Sequence, residues 1–475
     1  MKNIFLTGAT GNMGFAGLKE LLKHPDEYHI TILARPKNKN KRKLAPFKDK
    51  INIVWGDLLN YEDVLQGVTG SDIVLHVGGM VSPSADYFPE ETLNVNVTAA
   101  QNIVKAVLAQ PNADDIKVVY IGSVAQTSDR NVPLHWGRIG DPVFASEFDY
   151  YGVSKIIAER IFANSELKHW VSLRQSGILY PGILKNFDPI MFHVPIKGVL
   201  EWATVEDSGR LLERICRKTI PDEFWNHFYN ISSGPQYRMT NYDFECRILN
   251  AVHCPPPKKI FNANWFVLKN FHGQYYLDAD ILENFLHFRA NIPLDDYFQQ
   301  MSKGLPKFFK LTKLVPPFVL KSVLRMLANK KTYGTQYWIK HKDQKRIKAY
   351  YGGMKQYNSI PDWEKWDLTE PAPQEKAVVI QHGYDETKKL SQLSVSDLQQ
   401  AAVFRGGKLI SENYSGNPAE KLIWTCHCGH HFHASPTLIL EGGHWCPECL
   451  PPEWNYEKEI LYNRFLSQVY QTKNE

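Results

Sequence analysis

Tyr151 and Lys155, four apart in the run YGVSK, have the types and spacing for proton transfer. On a helix, positions i and i+4 share a face. An ammonium beside a phenol lowers the phenol pKa, so Tyr151 is expected to exchange a proton with an alcohol or carbonyl near neutral pH. Ser123 ends the apolar run VVYIGS, where its hydroxyl could orient the same substrate oxygen. A Tyr-x-x-x-Lys pair alone is common and mostly structural. Its weight here comes from the glycine loop and the serine that precede it.

That loop is TGATGNMG, with Gly8, Gly11 and Gly14 directly after the first apolar run and Thr10, Asn12 and Met13 between them. The first glycine permits a tight turn, the second lets backbone approach a pyrophosphate, and the third allows close helix–strand packing. A dinucleotide with a free ribose 2′-hydroxyl favours an acid at the end of the second strand. Here Ala34 stands there with Arg35 after it, which favours NADP(H) over NAD(H).

A second cluster of reactive side chains lies far downstream, in CHCGHHFHASPTLILEGGHWCPEC. Cys446 and Cys449 form a C-x-x-C knuckle, and Cys426, Cys428 and His430 surround a glycine turn. Tetrahedral zinc takes four such ligands. The spacing allows either Cys426 with His430 or Cys426 with Cys428 as the upstream pair. A closed four-ligand site is structural, so no catalytic role is expected of this zinc.

The elements that must hold these groups can be read in outline. KNIFLTG, YHITILA, INIVWGD, DIVLHVG, IKVVYIGS and WVSLRQSGILY read as strands, alternating with amphipathic stretches such as TAAQNIVKAVLAQ. That alternation predicts an α/β doubly wound parallel sheet over residues 1–300, with a substrate lobe mainly in 181–300. Residues 301–375 read as a basic helical segment and linker, and 376–475 as a zinc-binding module. A capping box at Ser396–Gln399 is expected to open a helix there. At 475 residues with 43% hydrophobic content, the chain has ample material for several cores. No apolar run approaches the length of a membrane span, and no signal peptide is evident, so a cytoplasmic setting is expected.

Charge is unevenly spread. Residues 303–355 carry 14 Lys/Arg and one acid, against 41 and 49 in the remainder. The segment could be a solvated face packed on the acidic body, a peripheral contact with an anionic membrane, or a nucleic-acid contact. Its helical stretch PPFVLKSVLRMLANK places Val319, Val323, Leu324 and Leu327 on one face.

Taken together, residues 1–300 resemble the extended short-chain dehydrogenase/reductases, the NAD-dependent epimerase/dehydratase group. TGATGNMG, GDLLN with Asp57 and Leu58, and LHVGG with Val77, Gly78 and Gly79 are similar to its cofactor-binding stretches. LNVNVT with Asn94, IGSVAQ, YGVSK and LRQSGILYPG with Ile178 are similar to its later motifs. The resemblance implies a Rossmann fold, a nicotinamide cofactor bound in part by Tyr151 and Lys155, and catalysis by Ser123, Tyr151 and Lys155. The C-terminal pattern resembles zinc-ribbon or treble-clef modules.

Departures narrow the reaction. Val124 and Ala125 follow Ser123 where the family's dehydratases carry an acid. Gly177 stands where its sugar-nucleotide epimerases keep an asparagine, and Val97 replaces a motif glycine. The leading expectation is therefore an NADP(H)-dependent oxidoreductase acting on a carbonyl or alcohol, on a hydrophobic substrate if the aromatic residues of the lobe line its pocket. A sugar or nucleotide-sugar epimerase is the alternative. A non-catalytic scaffold that senses NADP and binds a macromolecule through the zinc module is a second alternative, and a homodimer is a candidate assembly.

Overall fold

The computed structural model describes residues 1–217, 220–450 and 454–474. Seven parallel strands form its central sheet. They are β1 (Lys2–Thr7), β2 (Tyr28–Ala34), β3 (Asn52–Trp55), β4 (Ile73–His76), β5 (Lys117–Ser123), β6 (His169–Gln175) and β7 (His227–Ile231). Their order is β7-β6-β5-β4-β1-β2-β3, with the chain reversing direction across the sheet between β1 and β4. The doubly wound Rossmann-type sheet expected from the sequence is therefore present. β4 is buried at every position, as a strand covered on both faces must be.

The helices that position the site are α1 (Asn12–Leu21), α2 (Pro89–Leu108), α3 (Tyr150–Ala163), α4 (Val205–Ile215) and α5 (Asn241–Ala251). Beyond residue 300 come α6 (Pro317–Ala328) and α7 (Val395–Phe404). Ser394 and Asp397 form the capping box that opens α7, two residues before the expected one. A three-stranded ribbon follows, β8 (Gly407–Leu409), β9 (Leu422–Cys426) and β10 (His431–Ala434).

The C-terminal residues pack directly on the Rossmann body. Leu398, Trp424, Phe432 and Leu438 share one core cluster with Phe162, Trp170 and Phe228. At its centre Glu159 of α3 takes hydrogen bonds from Arg174 of β6 at 2.7 and 3.1 Å and from Ser172 at 2.6 Å, with His444 at 2.8 Å. Arg174 also donates to the Gly442 carbonyl at 2.7 Å. All of these side chains are buried. Burial alone would raise the Glu159 pKa; Arg174 and His444 overcome that and hold it well below the usual carboxylate range. Arg160 donates to the Trp445 carbonyl, and Tyr456 to that of Ala145.

The linker also lies on the protein surface, where the rings of His135 and Trp136 meet the Ala372 carbonyl. In α6, Leu324 and Ala328 face inward, whereas Val319 and Val323 point out. The expected single apolar face is therefore divided, because α6 is apolar on two sides. No helix among the described residues is long and apolar enough to cross a membrane.

Candidate active site and metal-ligand cluster

One cavity of about 870 Å³ runs from the glycine loop into the lobe. Its first end is built by backbone. Gly8 has φ of +74°, and a Cβ there would meet the Gly78 nitrogen at 2.7 Å. A Cβ at Gly14 would strike the Gly8 carbonyl, so α1 can press against the loop only without a side chain there. Gly11 caps α1 with no side-chain bond, which leaves first-turn N–H groups open to an anion. Thr10, Asn12 and Met13 complete this wall. Thr7 Oγ1 fastens the facing loop, accepting from Gly78 N at 2.9 Å and lying 3.0 Å from His76 Nδ1. Burial drives the His76 pKa down to about 3, so the ring is neutral. These features fit a dinucleotide pyrophosphate.

Asp57, Leu58, Val77, Gly78, Gly79 and Ile178 all line the cavity. Arg35 lines its rim together with Lys37 and Lys39. Asn94 does not reach it. Its side chain is exposed on α2 and accepts from Thr98. Asn96, two positions along the helix, turns inward instead. It accepts from Met80 N at 2.7 Å and donates to Ser154 Oγ at 2.8 Å, tying the loop after β4 to α3. The missed signal was the helical phase of α2, where Thr92 and Asn96 share the buried face.

Ser123, Tyr151 and Lys155 converge on the middle of the cavity. Asp149 caps α3 by accepting from Gly152 N at 2.7 Å, which sets Tyr151 in the first turn. Burial pushes the Tyr151 phenol up to about 12, with a hydrogen bond from Ser123 working against it. Lys155 donates to the Ile121 carbonyl at 2.8 Å, with its nitrogen 5.9 Å from the centre of the Tyr151 ring. Burial lowers its own pKa to about 8. The expected depression of the Tyr151 pKa by Lys155 is therefore absent here, because the ammonium is held by a carbonyl and the phenol is desolvated.

The far end is mostly apolar, with Met191, Val194, Leu200, Trp202, Phe244 and Ile248 among its walls. Trp202 and Phe244 stack at 4.5 Å. Gly177 packs beneath Trp202 and Leu200, and a Cβ there would approach them to 2.6–2.8 Å. An asparagine cannot enter that space without moving both. Two further polar side chains line this end. Glu245 of α5 is 3% exposed, its Oε2 has no partner, and burial raises its pKa to about 8. Arg130 is buried, bonds Asp141 through Nη2, and leaves Nε and Nη1 unpartnered. Neither stands in a sequence motif.

The thiols gather where the ribbon turns. Cys426 N donates to the His430 carbonyl and Gly429 N to the Cys426 carbonyl, closing the β9–β10 turn, with Gly429 at φ of +84°. His430 Nδ1 lies 3.4 Å from Cys426 Sγ, 3.6 Å from Cys446 Sγ and 3.4 Å from Cys449 Sγ, and Cys426 and Cys449 are 3.7 Å apart. A tetrahedral ion with metal–sulfur bonds of about 2.3 Å spans edges of about 3.5–3.8 Å. The four separations lie close to those edges. Cys428 is exposed beside His427, 3.3 Å from its Nε2, yet within 4.8 Å of Cys426, His430 and Cys449.

Comparison with known proteins agrees with the fold. Residues 4–182 match the model of the NAD dependent epimerase/dehydratase family. The UDP-glucose 4-epimerases of Rickettsia akari (strain Hartford) and Rickettsia bellii (strain RML369-C) are 30% and 31% identical over 112 and 110 residues. Each alignment covers 22% of this chain, and 33% and 32% of those proteins. The chain thus spans about a third of the length of the curated relatives it matches. A dTDP-glucose 4,6-dehydratase from Streptomyces venezuelae, solved with NAD bound, superposes with a TM-score of 0.51 at 16% identity. That match covers 64% of this chain and 96% of the dehydratase, and it shows the fold.

Proposed function

We propose that the protein exchanges a hydride between a bound nicotinamide dinucleotide and a hydroxyl-bearing carbon, with Tyr151 moving the proton. The observation that carries this reading is the convergence of Ser123, Tyr151 and Lys155 on the cavity that begins at the glycine loop. The nicotinamide, when bound, supplies the hydride acceptor or donor. Ser123 orients the substrate oxygen. With the phenol near 12 and the lysine near 8, the resting site holds a neutral Tyr151 and a mostly cationic Lys155 at pH 7. That state is set to donate a proton to a ketone oxygen. Oxidation of an alcohol requires the Lys155 charge to approach the phenol and favour its anion.

The substrate reading best supported by the relatives is a sugar or similar polyol, oxidised to a ketone and reduced again within one site, so that an epimer leaves. This displaces net oxidoreduction as the leading expectation. Net oxidoreduction of an apolar alcohol or ketone remains the second reading, favoured by the Trp202–Phe244 wall over Gly177. For the cofactor we propose NADP(H) over NAD(H). Arg35, Lys37 and Lys39 on the rim, with no acid at Ala34, support it. The Streptomyces dehydratase was solved with NAD, so this preference rests on the present chain's own cations. We also propose a structural zinc held by Cys426, His430, Cys446 and Cys449. The seven unpaired cysteines fit a cytoplasmic setting.

The test is product analysis with UDP-glucose, free sugars and lipophilic ketones. An epimer without net change in the cofactor supports the first reading. Net oxidation or reduction of the cofactor supports the second. Absence of any hydride exchange across the panel, in protein that binds the cofactor, rejects both.

A further inference from the structure

The helix α6 is apolar on two sides. Leu320, Leu324, Leu327 and Ala328 pack inward against a cluster that includes Phe192, Trp265 and Trp363. On the opposite side Phe318 is 70% exposed, Val323 56% and Met326 73%. The preceding turn of 307–314 adds Leu311 and Leu314, at 58% and 71%. An apolar helix face is normally buried, so this second face lacks its counterpart. Residues 303–342 carry ten Lys/Arg and no acid. Lys313, Lys321, Arg325 and Lys331 flank the patch and form no ion pair among the described residues.

We propose that this face rests on an anionic lipid bilayer, with Leu311, Leu314, Phe318, Val323 and Met326 entering the headgroup–acyl boundary and the flanking lysines and arginines meeting lipid phosphates. Charge complementarity selects this occupant. A nucleic acid would be held by the cations but gives Phe318 and Met326 no apolar medium. A second copy of the chain would bring the four flanking cations against four like charges. An interfacial helix uses both features, a shallow apolar face and a basic border. The inner side of α6 shares its cluster with Met191 and Leu249, which also line the cavity. Docking would therefore bear on the wall of the substrate end. The proposal stands apart from the catalytic reading, since it concerns a face that no step of that reading uses.

The experiment is co-sedimentation of the full-length protein with vesicles of phosphatidylcholine, and of phosphatidylcholine with roughly one-third phosphatidylglycerol. Binding should be confined to the anionic vesicles and fall with added salt. It should weaken about fivefold for each charge removed in Lys313→Gln, Lys321→Gln and Arg325→Gln. Phe318→Glu with Met326→Glu should abolish it, while dinucleotide binding and the thermal unfolding midpoint stay as in the unchanged protein. No binding to anionic vesicles overturns the proposal, as does equal binding by the Phe318→Glu/Met326→Glu protein. Salt-sensitive RNA or DNA binding without lipid binding overturns it in favour of nucleic acid. Self-association lost in that double variant, without lipid binding, overturns it in favour of a dimer face.

Discussion

Replacing Glu245 by glutamine should remove a pH dependence from the stability of the protein. Glu245 is 3% exposed, with Oε2 unpartnered, in a cavity wall of Phe244, Ile248 and Leu249. Burial raises its pKa to about 8. The folded chain therefore keeps a proton that the unfolded chain releases above the ordinary carboxyl range near 4.5. Its contribution is intact below that range and is lost as pH rises toward about 8, at about 1.4 kcal/mol per pH unit. At pH 7 the loss reaches about 3 kcal/mol, an upper bound because cavity water hydrates the carboxylate. Glutamine keeps the shape and cannot ionise. Urea unfolding of the unliganded protein and of Glu245→Gln, from pH 5 to pH 8, gives the difference curve. The variant should gain on the original as pH rises and match it most closely at pH 5. Parallel curves would show instead that Glu245 is already solvated or paired.

Other outcomes follow from single contacts. His444→Ala should destabilise by about 1.5–3 kcal/mol in urea unfolding, because it removes a buried hydrogen-bond partner of the Glu159 carboxylate. Arg35→Ala should weaken NADPH binding in fluorescence titration and leave NADH unchanged; equal affinity of the unchanged protein for both would remove the case for the 2′-phosphate. Cys449→Ser should lose zinc by elemental analysis and lower the unfolding midpoint, whereas Cys428→Ser should keep the ion.

Much of the fold was legible because parallel strands announce themselves as apolar runs, and six of the seven sheet strands were read this way. β7, HFYNI, is short and sits in a mixed region, so it gave little signal. The glycine loop, Ser123, Tyr151 and Lys155 could be read because their chemistry demands fixed spacing. Asn94 was misplaced because a motif read by letter ignores helical phase, which turns Asn96 inward. The docking of residues 376–474 was hidden because its ties, Glu159 with His444 and Arg160 with Trp445, are long-range. Glu245 was hidden for a related reason: an acid on a short helix looks solvated until the cavity around it is known. Within the thiol cluster, the sequence leaves Cys428 and His430 open, and both lie within 4.8 Å of Cys426 and Cys449.

The role proposed for Tyr151, moving the proton in a hydride exchange, is tested by single-turnover nicotinamide absorbance for the unchanged protein and for Tyr151→Phe, across the sugar, sugar-nucleotide and lipophilic carbonyl panel. Cofactor affinity should be equal in the two proteins, with a rate lower by about 10²–10⁴-fold in the variant. Hydride exchange at the same rate in Tyr151→Phe would contradict that role.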